Sequence, residues 1–363
     1  MEEREAWLAL NMVPHVGPAT FGILLEHFGT AKRILKAPLK AFEAVPGVGP
    51  TTAKAIRGCR AQETVDRERK RMAARGLGFV TLREAGYPAP LRHISQPPPV
   101  LYIRGSWEGH DQRAVAVVGS RDATPYGRGV ADRLAFDLAR RGLTIVSGLA
   151  RGIDAAAHRG ALRAGGRTIA VLGSGADIIY PVEHRKLAEA VTERGALLSE
   201  FPLGTSPLKG NFPQRNRLIS GLSLGVVVVE AAAGSGALIT VNHALEQGKE
   251  VFAVPGPVTG KLSQGCHRLI KLGAKLTEGW EDVVEELGTP YRHDVPAIPP
   301  LPPVEREEGR ILQVLGEEPI HIDVIIAASK LSAPAVATSL LSLEMKGWVK
   351  QLTGKTFVRA HDS

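Results

Sequence analysis

Lys209-Gly210-Asn211-Phe212-Pro213-Gln214-Arg215-Asn216-Arg217 gathers cations, amides and one aromatic ring into a single short segment. Cations suit phosphate oxygens, and a phenyl ring suits the face of a nucleobase. Together they describe single-stranded nucleic acid binding better than small-molecule catalysis. The other reading is a solvated surface loop whose Phe212 tucks into the core, and the segment alone leaves both open.

Patterns that would point to an enzyme are nearly present but incomplete. A dinucleotide site needs G-x-G-x-x-G at the first strand-to-helix turn, where this chain has Gly119-Ser120-Arg121. Gly173-Ser174-Gly175 begins that pattern, but Ile178 stands where the third glycine belongs. Gly256-Pro257-Val258-Thr259-Gly260-Lys261-Leu262 is one residue short of a P-loop and lacks its Ser or Thr. Asp154 and His158 lie one helical turn apart, as a metal or acid–base pair would. Asp154 also stands where a helix N-cap belongs, and no third ligand follows. Glu200 and Glu230 end two apolar runs with no nucleophile or metal cluster beside them, so they read as structural. No metal and no cofactor is expected.

Bulk composition narrows the classes. The chain has 363 residues, enough for two or three domains. With 44% hydrophobic residues and a mean hydropathy near zero, it reads as a globular protein. Lys and Arg number 45 against 37 Asp and Glu, giving a formal charge of +8 and a pI near 9.6, a balance that fits a nucleic-acid partner. The acidic start Met1-Glu2-Glu3-Arg4-Glu5 lacks the apolar core of a secretion signal. The run Val226–Val229 is too short to span a bilayer, so no membrane association is expected. Only Cys59 and Cys266 occur, without metal-ligand spacing, which suits a reducing cytoplasm.

Proline-rich stretches divide the chain into a helical part (1–75), an α/β core (76–287, with an extended lead-in over 76–110), a linker (288–304) and a compact tail (305–363). The helical part holds a weak repeat, Val13-Pro14-His15-Val16-Gly17-Pro18 and Val45-Pro46-Gly47-Val48-Gly49-Pro50. Apolar-Gly-apolar-Gly before a helix is the helix-hairpin-helix pattern, whose turn aims N–H groups at a DNA phosphate. Gly47, Gly49 and Lys54 are therefore candidates for a secondary DNA contact. The first copy has no basic residue until Lys32 and reads as structural.

In the core, Val115–Val118, Thr144–Val146, Thr168–Leu172, Leu197-Leu198, Val226–Val229 and Val251–Val254 read as buried parallel strands separated by helix-length segments. That rhythm predicts a doubly wound, Rossmann-like, mostly parallel α/β sheet. Ligands of such sheets bind beyond the carboxyl ends of the strands, and here Arg121 and Arg151 project from glycine-rich loops at that rim. The tail reads as three helices and a hairpin with its tip at Thr353-Gly354-Lys355, a winged-helix-like domain. Its helix over Ser332–Met345 carries no basic residue, so sequence-specific major-groove reading is not expected.

Ser147-Gly148-Leu149-Ala150-Arg151-Gly152-Ile153-Asp154, Ser199-Glu200-Phe201-Pro202, Phe212–Leu222, Gly234–Thr240 and Val254-Pro255-Gly256, in that order, closely resemble the DNA-processing protein A (DprA, or Smf) family across roughly residues 80–280. The resemblance implies a cytoplasmic bacterial protein of natural transformation that is not an enzyme. It implies binding and protection of incoming single-stranded DNA, a homodimer through the Rossmann-like core, and loading of the RecA recombinase. The family's pocket residues map onto Arg121, Lys209, Phe212 and Arg215, with Gly152, Gln214, Asn216 and Arg217 as neighbours. The alternative is a nucleoside-phosphate-processing enzyme of the lysine-decarboxylase-like (LOG) type. In that family a catalytic glutamate closely follows a glycine motif, and Ile239 and Thr240 stand there instead.

Overall fold

The structure, a computed structural model, describes residues 1–288, 304–316 and 319–359. It comprises two compact units, Met1–His293 and Asp294–Ser363. The expected linker, apart from Gly288 and Val304, lies outside the described residues.

The larger unit opens with helices α1 (Glu3–Asn11), α2 (Pro18–Phe28), α3 (Ala31–Lys36), α4 (Pro50–Gly58) and α5 (Ala61–Ala73). The sequence repeat is a structural one: His15 and Gly47, at equivalent places, both take left-handed φ values of 69° and 79°. Glycine adopts that conformation freely, whereas histidine is strained by it. Gly17 and Gly49 then stand at the N-caps of α2 and α4, each followed by proline in the first turn. Trp7, Phe21 and Phe42 fill the core beneath these helices together with Tyr102 and Leu203 from the sheet side, so the helical layer is packed onto one end of the sheet.

That sheet has nine strands: β1 (Leu77–Thr81), β2 (Val100–Gly105), β3 (Ala114–Gly119), β4 (Thr144–Ser147), β5 (Thr168–Val171), β6 (Ala196–Ser199), β7 (Gly225–Val229), β8 (Glu250–Ala253) and β9 (Lys275–Leu276). The order is β1-β2-β6-β5-β4-β3-β7-β8-β9, antiparallel where β2 joins β1 and β6, and parallel elsewhere. The apolar runs identified in the sequence are β3 to β8. The lead-in holds β1 and β2, which the sequence reading treated only as extended chain. Helices α6 (Pro125–Arg140), α7 (Ile153–Arg163), α8 (Arg185–Arg194), α9 (Asn211–Gly221), α10 (Ala237–Glu246), α11 (Gln264–Lys271) and α12 (Trp280–Leu287) cover both faces. Val115 and Val117 of β3 pack with α6, α7 and α12, while Ala116 and Val118 pack with α9, α10 and α11. Burial on both faces explains why these strands read as unbroken apolar runs.

The smaller unit has α13 (Arg306–Val314), β10 (Ile320–His321), α14 (Ile322–Ser329), α15 (Ala333–Met345), β11 (Val349–Leu352) and β12 (Thr356–Arg359). Its sheet runs β10-β12-β11 and its core includes Ile311, Ile325, Val336, Leu340 and Phe357, a winged-helix arrangement. Ser332 caps α15 by accepting from the Ala335 N–H at 3.4 Å. Among the described residues no single helix is long and apolar enough to cross a membrane.

Candidate nucleic-acid interface

The chain winds from β3 outward to β6, then returns to place β7 beside β3. Loops leaving two such neighbours diverge to opposite faces, and the crevice they leave is where doubly wound sheets bind ligands. A cavity of about 920 Å³ opens there. Its walls come from Ser120 and Arg121 after β3, Ala150 after β4, Tyr180 after β5, and Gly234 and Ser235 after β7. Lys209 and Phe212, from the connection between β6 and β7, close the remaining side.

The Lys209–Arg217 segment is not a loop. It enters α9 at Asn211, and Pro213 is tolerated because first-turn N–H groups have no intrahelical partner. Asn211 pins that turn, its Nδ2 donating to the carbonyls of Gly173 (3.0 Å) and Ser206 (3.2 Å). Phe212 is half-buried, with its ring against the Gly173 backbone, where a Cβ would stand 2.8 Å from Phe212 Cδ1. The Arg121 guanidinium lies 5.2 Å from the ring centroid, and the Tyr180 ring lies 5.9 Å away at 42°. Phe212 is neither a core plug nor a free platform, but one wall of an aromatic and guanidinium cluster. Lys209 and Arg121 are exposed at the cavity rim.

Arg215, expected beside them as a phosphate contact, lines the same cavity with its guanidinium 6.0 Å from the Phe212 ring centroid, but its donors turn to the strand ends. It is only 4% exposed, and its Nη1 donates to the Gly148 carbonyl at 2.8 Å and to the Val171 carbonyl. These carbonyls follow or end β4 and β5, so the guanidinium ties their carboxyl ends together. Gly148 is required for that approach, since a Cβ there would lie 2.7 Å from the guanidinium nitrogens. Burial pulls the Arg215 guanidinium down to about 10, opposed by nearby Asp154 and reinforced by Arg121. Its geometry is that of a strand-end organiser.

Arg217, also expected at the interface, makes a two-pronged ion pair with Glu200, both contacts at 2.7 Å, and donates to the Gln96 carbonyl at 3.1 Å. That arrangement fastens α9 to the lead-in, away from the rim, and gives Glu200 its structural role. Gly152 has φ 71°, and a Cβ on it would stand 2.2 Å from the Ser120 carbonyl oxygen, so glycine here allows the close packing of two loops. Gln214 is exposed, and Asn216 lines the cavity while donating to the Gly236 carbonyl at 3.3 Å.

Asp154 is not the N-cap of α7. Gly152 holds that place, and the buried Asp154 carboxylate accepts from the N–H groups of Gly148 (3.0 Å) and Ala150 (3.3 Å). Burial raises its pKa, with Arg215 and the two N–H groups opposing. His158 turns away toward Thr168, Nδ1 to Oγ1 2.7 Å, and burial lowers its pKa to about 3. It is therefore a neutral packed side chain. The Glu230 carboxylate accepts from the Thr124 N–H at 2.8 Å and from the Thr124 hydroxyl, holding the start of α6. Among the described residues no cluster of His, Cys, Asp and Glu is placed to hold a metal.

One supporting network escaped the sequence reading altogether. Arg71 of α5 donates to Asp177 at 3.1 Å and to the Leu203 carbonyl at 2.9 Å, while buried Glu68 accepts from the Leu203 N–H at 2.8 Å. Asp177 also accepts from the Gly204 N–H at 2.8 Å. The helical layer thus holds the two segments that lead to Tyr180 and Lys209. Partners 106 and 132 residues apart leave no local spacing to read.

Comparison with known proteins agrees with this architecture. Residues 78–288 match the model of DNA recombination-mediator protein A, residues 295–355 a DprA winged helix domain, and residues 8–57 a SAM-like helix-hairpin-helix tandem. Protein Smf of Synechocystis is 36% identical, covering 98% of this chain and 99% of its own. DNA processing protein DprA of Bacillus subtilis is 44% identical, over 58% of this chain and 72% of its own. The X-ray structure of DprA from Streptococcus pneumoniae has a TM-score of 0.69 at 33% identity, covering 79% of this chain and 99% of that one. A Helicobacter pylori DNA processing protein A, described for its single-stranded DNA binding mode, has a TM-score of 0.53 at 31% identity, over 59% and 97% of the two chains. This chain belongs to the DNA recombination-mediator protein A (DprA/Smf) family.

Proposed function

We propose that the protein binds single-stranded DNA in the cavity at the β3/β7 crevice. The observation that carries this reading is the rim itself: exposed Lys209 and Arg121 line one cavity with Phe212 and the glycine-rich loop after β7, and the Arg121 guanidinium lies 5.2 Å from the Phe212 ring centroid. Lys209 and Arg121 neutralise phosphates, Phe212 with Arg121 presents π-surface to a base, and Gln214 and Asn216 supply neighbouring polar groups. The Helicobacter pylori relative supports the same choice of ligand by its description. The role is binding, not catalysis, in a cytoplasmic protein. Electrophoretic mobility shifts of the full chain with matched single- and double-stranded oligonucleotides test it. Single strands are retained by the wild type, and the retention is lost in Lys209→Glu and Arg121→Ala variants that remain folded. Duplex preference, or unchanged retention in both variants, overturns it.

The second hairpin is a secondary DNA contact in this reading. Gly47 and Gly49 frame the turn before α4, Lys54 is exposed on that helix, and α3 packs beside it. Residues 30–60 carry seven lysines and arginines against one glutamate, most of the chain's net charge of +8. The proposed homodimer joins the sheet edge at β9, where Leu272, Leu276 and Val258 are 74%, 42% and 87% exposed. Leu272→Glu should then yield monomers in light scattering. Protection of incoming DNA during natural transformation and RecA loading complete the proposal. The resemblance carries these two roles, and RecA filament assembly on protein-coated single strands tests the second.

A further inference from the structure

Two groups at the cavity mouth are not used by the reading above. Tyr180 lines the cavity, is 45% exposed, and its ring stands 5.9 Å from that of Phe212. Three residues further along, Glu183 holds Arg151, Nε to Oε1 2.6 Å, with the two side chains 61% and 52% exposed. Arg151 belongs to the loop after β4 and directly follows Ala150, which lines the cavity, so its ion pair with Glu183 lies next to the same rim. Solvent screens an exposed ion pair of this kind, so it is readily exchanged. Just beyond it, Arg185 and Lys186 at the start of α8 are exposed and make no ion pair among the described residues.

We propose that a single strand seated in the cavity leaves it across Tyr180, which stacks a second base, and that the next phosphate takes Arg151 from Glu183. This extension rests on the single-stranded DNA reading of the cavity. Arg151 is then a phosphate-binding residue masked by an internal carboxylate. The mask disfavours ligands too short to reach it, because only a longer strand can replace Glu183 with a phosphate of its own. Arg185 and Lys186 continue the cationic track outward along α8.

The test compares a thymidine trinucleotide with a 20-mer by fluorescence anisotropy of the full chain. Tyr180→Ala should weaken the 20-mer by about 5- to 140-fold, and Tyr180→Phe should retain its affinity. Arg151→Gln should weaken the 20-mer and reduce its log–log salt slope by about 0.7, leaving the trinucleotide unchanged. Glu183→Gln should strengthen the 20-mer. If Tyr180→Ala and Arg151→Gln bind the 20-mer like wild type while Phe212→Ala does not, the extension is wrong and the cavity reading stands. If Phe212→Ala also binds like wild type, the cavity reading itself fails. Equal weakening by Glu183→Gln and Arg151→Gln would make the pair a structural clasp and overturn the mask.

Discussion

Replacing Arg215 by methionine separates a strand-end organiser from a ligand contact, since an unbranched stem is kept while the guanidinium and every donor are removed. The carbonyls of Gly148 and Val171 would lose the buried guanidinium that serves them. A buried acceptor without a partner costs about 1–3 kcal/mol, so the pair amounts to roughly 2–6 kcal/mol. Removing a buried cation also recovers its desolvation penalty, which the fall of Arg215 to about 10 reveals. The net loss should therefore lie in the lower half of that range, about 2–4 kcal/mol. Urea unfolding followed by circular dichroism measures it, with Lys209→Gln as the control that changes charge at the rim but not stability. A methionine variant as stable as wild type, yet as deficient in single-strand binding as Lys209→Gln, would show that Arg215 serves the ligand and would refute the reasoning.

Two further outcomes follow from the geometry. Gly173→Ala places a Cβ 2.8 Å from Phe212 Cδ1 and 3.1 Å from Cε1, so the ring must move. Single-strand affinity should then fall within the value of one stacked base, about 5- to 140-fold by anisotropy, and unchanged affinity would remove Phe212 from the site. His158 is held near a pKa of about 3 in the folded chain, below the 6.5 of an ordinary histidine. Unfolded chains therefore take up a proton that folded ones refuse between those values. Stability contributed by neutral His158 is full above pH 6.5 and falls by up to roughly 1.4 kcal/mol per unit on acidification toward pH 3. Urea midpoints at pH 7 and pH 5 should converge in His158→Gln relative to wild type, and an identical pH dependence would count against the assignment.

The central strands β3 to β8 were legible in the sequence because burial on both faces makes each an unbroken apolar run. Strands β1 and β2 were not, since Gly78 interrupts one and three prolines precede the other. The same punctuation disguised the start of α9, where Gly210 and Pro213 suggested a loop although both suit a helix's first turn. Residue type singled out the segment that reaches the rim but could not say which arginine faces out. Arg215 and Arg217 are two positions apart on α9, about 200° around the helix, and neither turns to the rim as an exposed cation. One meets strand-end carbonyls and the other Glu200, partners fixed only by the sheet's topology. Asp154 was misread for a related reason: its acceptors' partners lie in the loop behind the helix, not in the helix that it begins.

The central claim is that exposed cations at the β3/β7 crevice hold the phosphates of a single strand. Its most direct test is the slope of log Kd against log salt concentration for a labelled oligothymidylate, measured with wild type, Lys209→Gln and Arg121→Gln. Each substitution should weaken binding and lower the slope by about 0.7, the value of one phosphate contact on a single strand. Lines superimposed on that of the wild type, in both affinity and slope, would contradict the account.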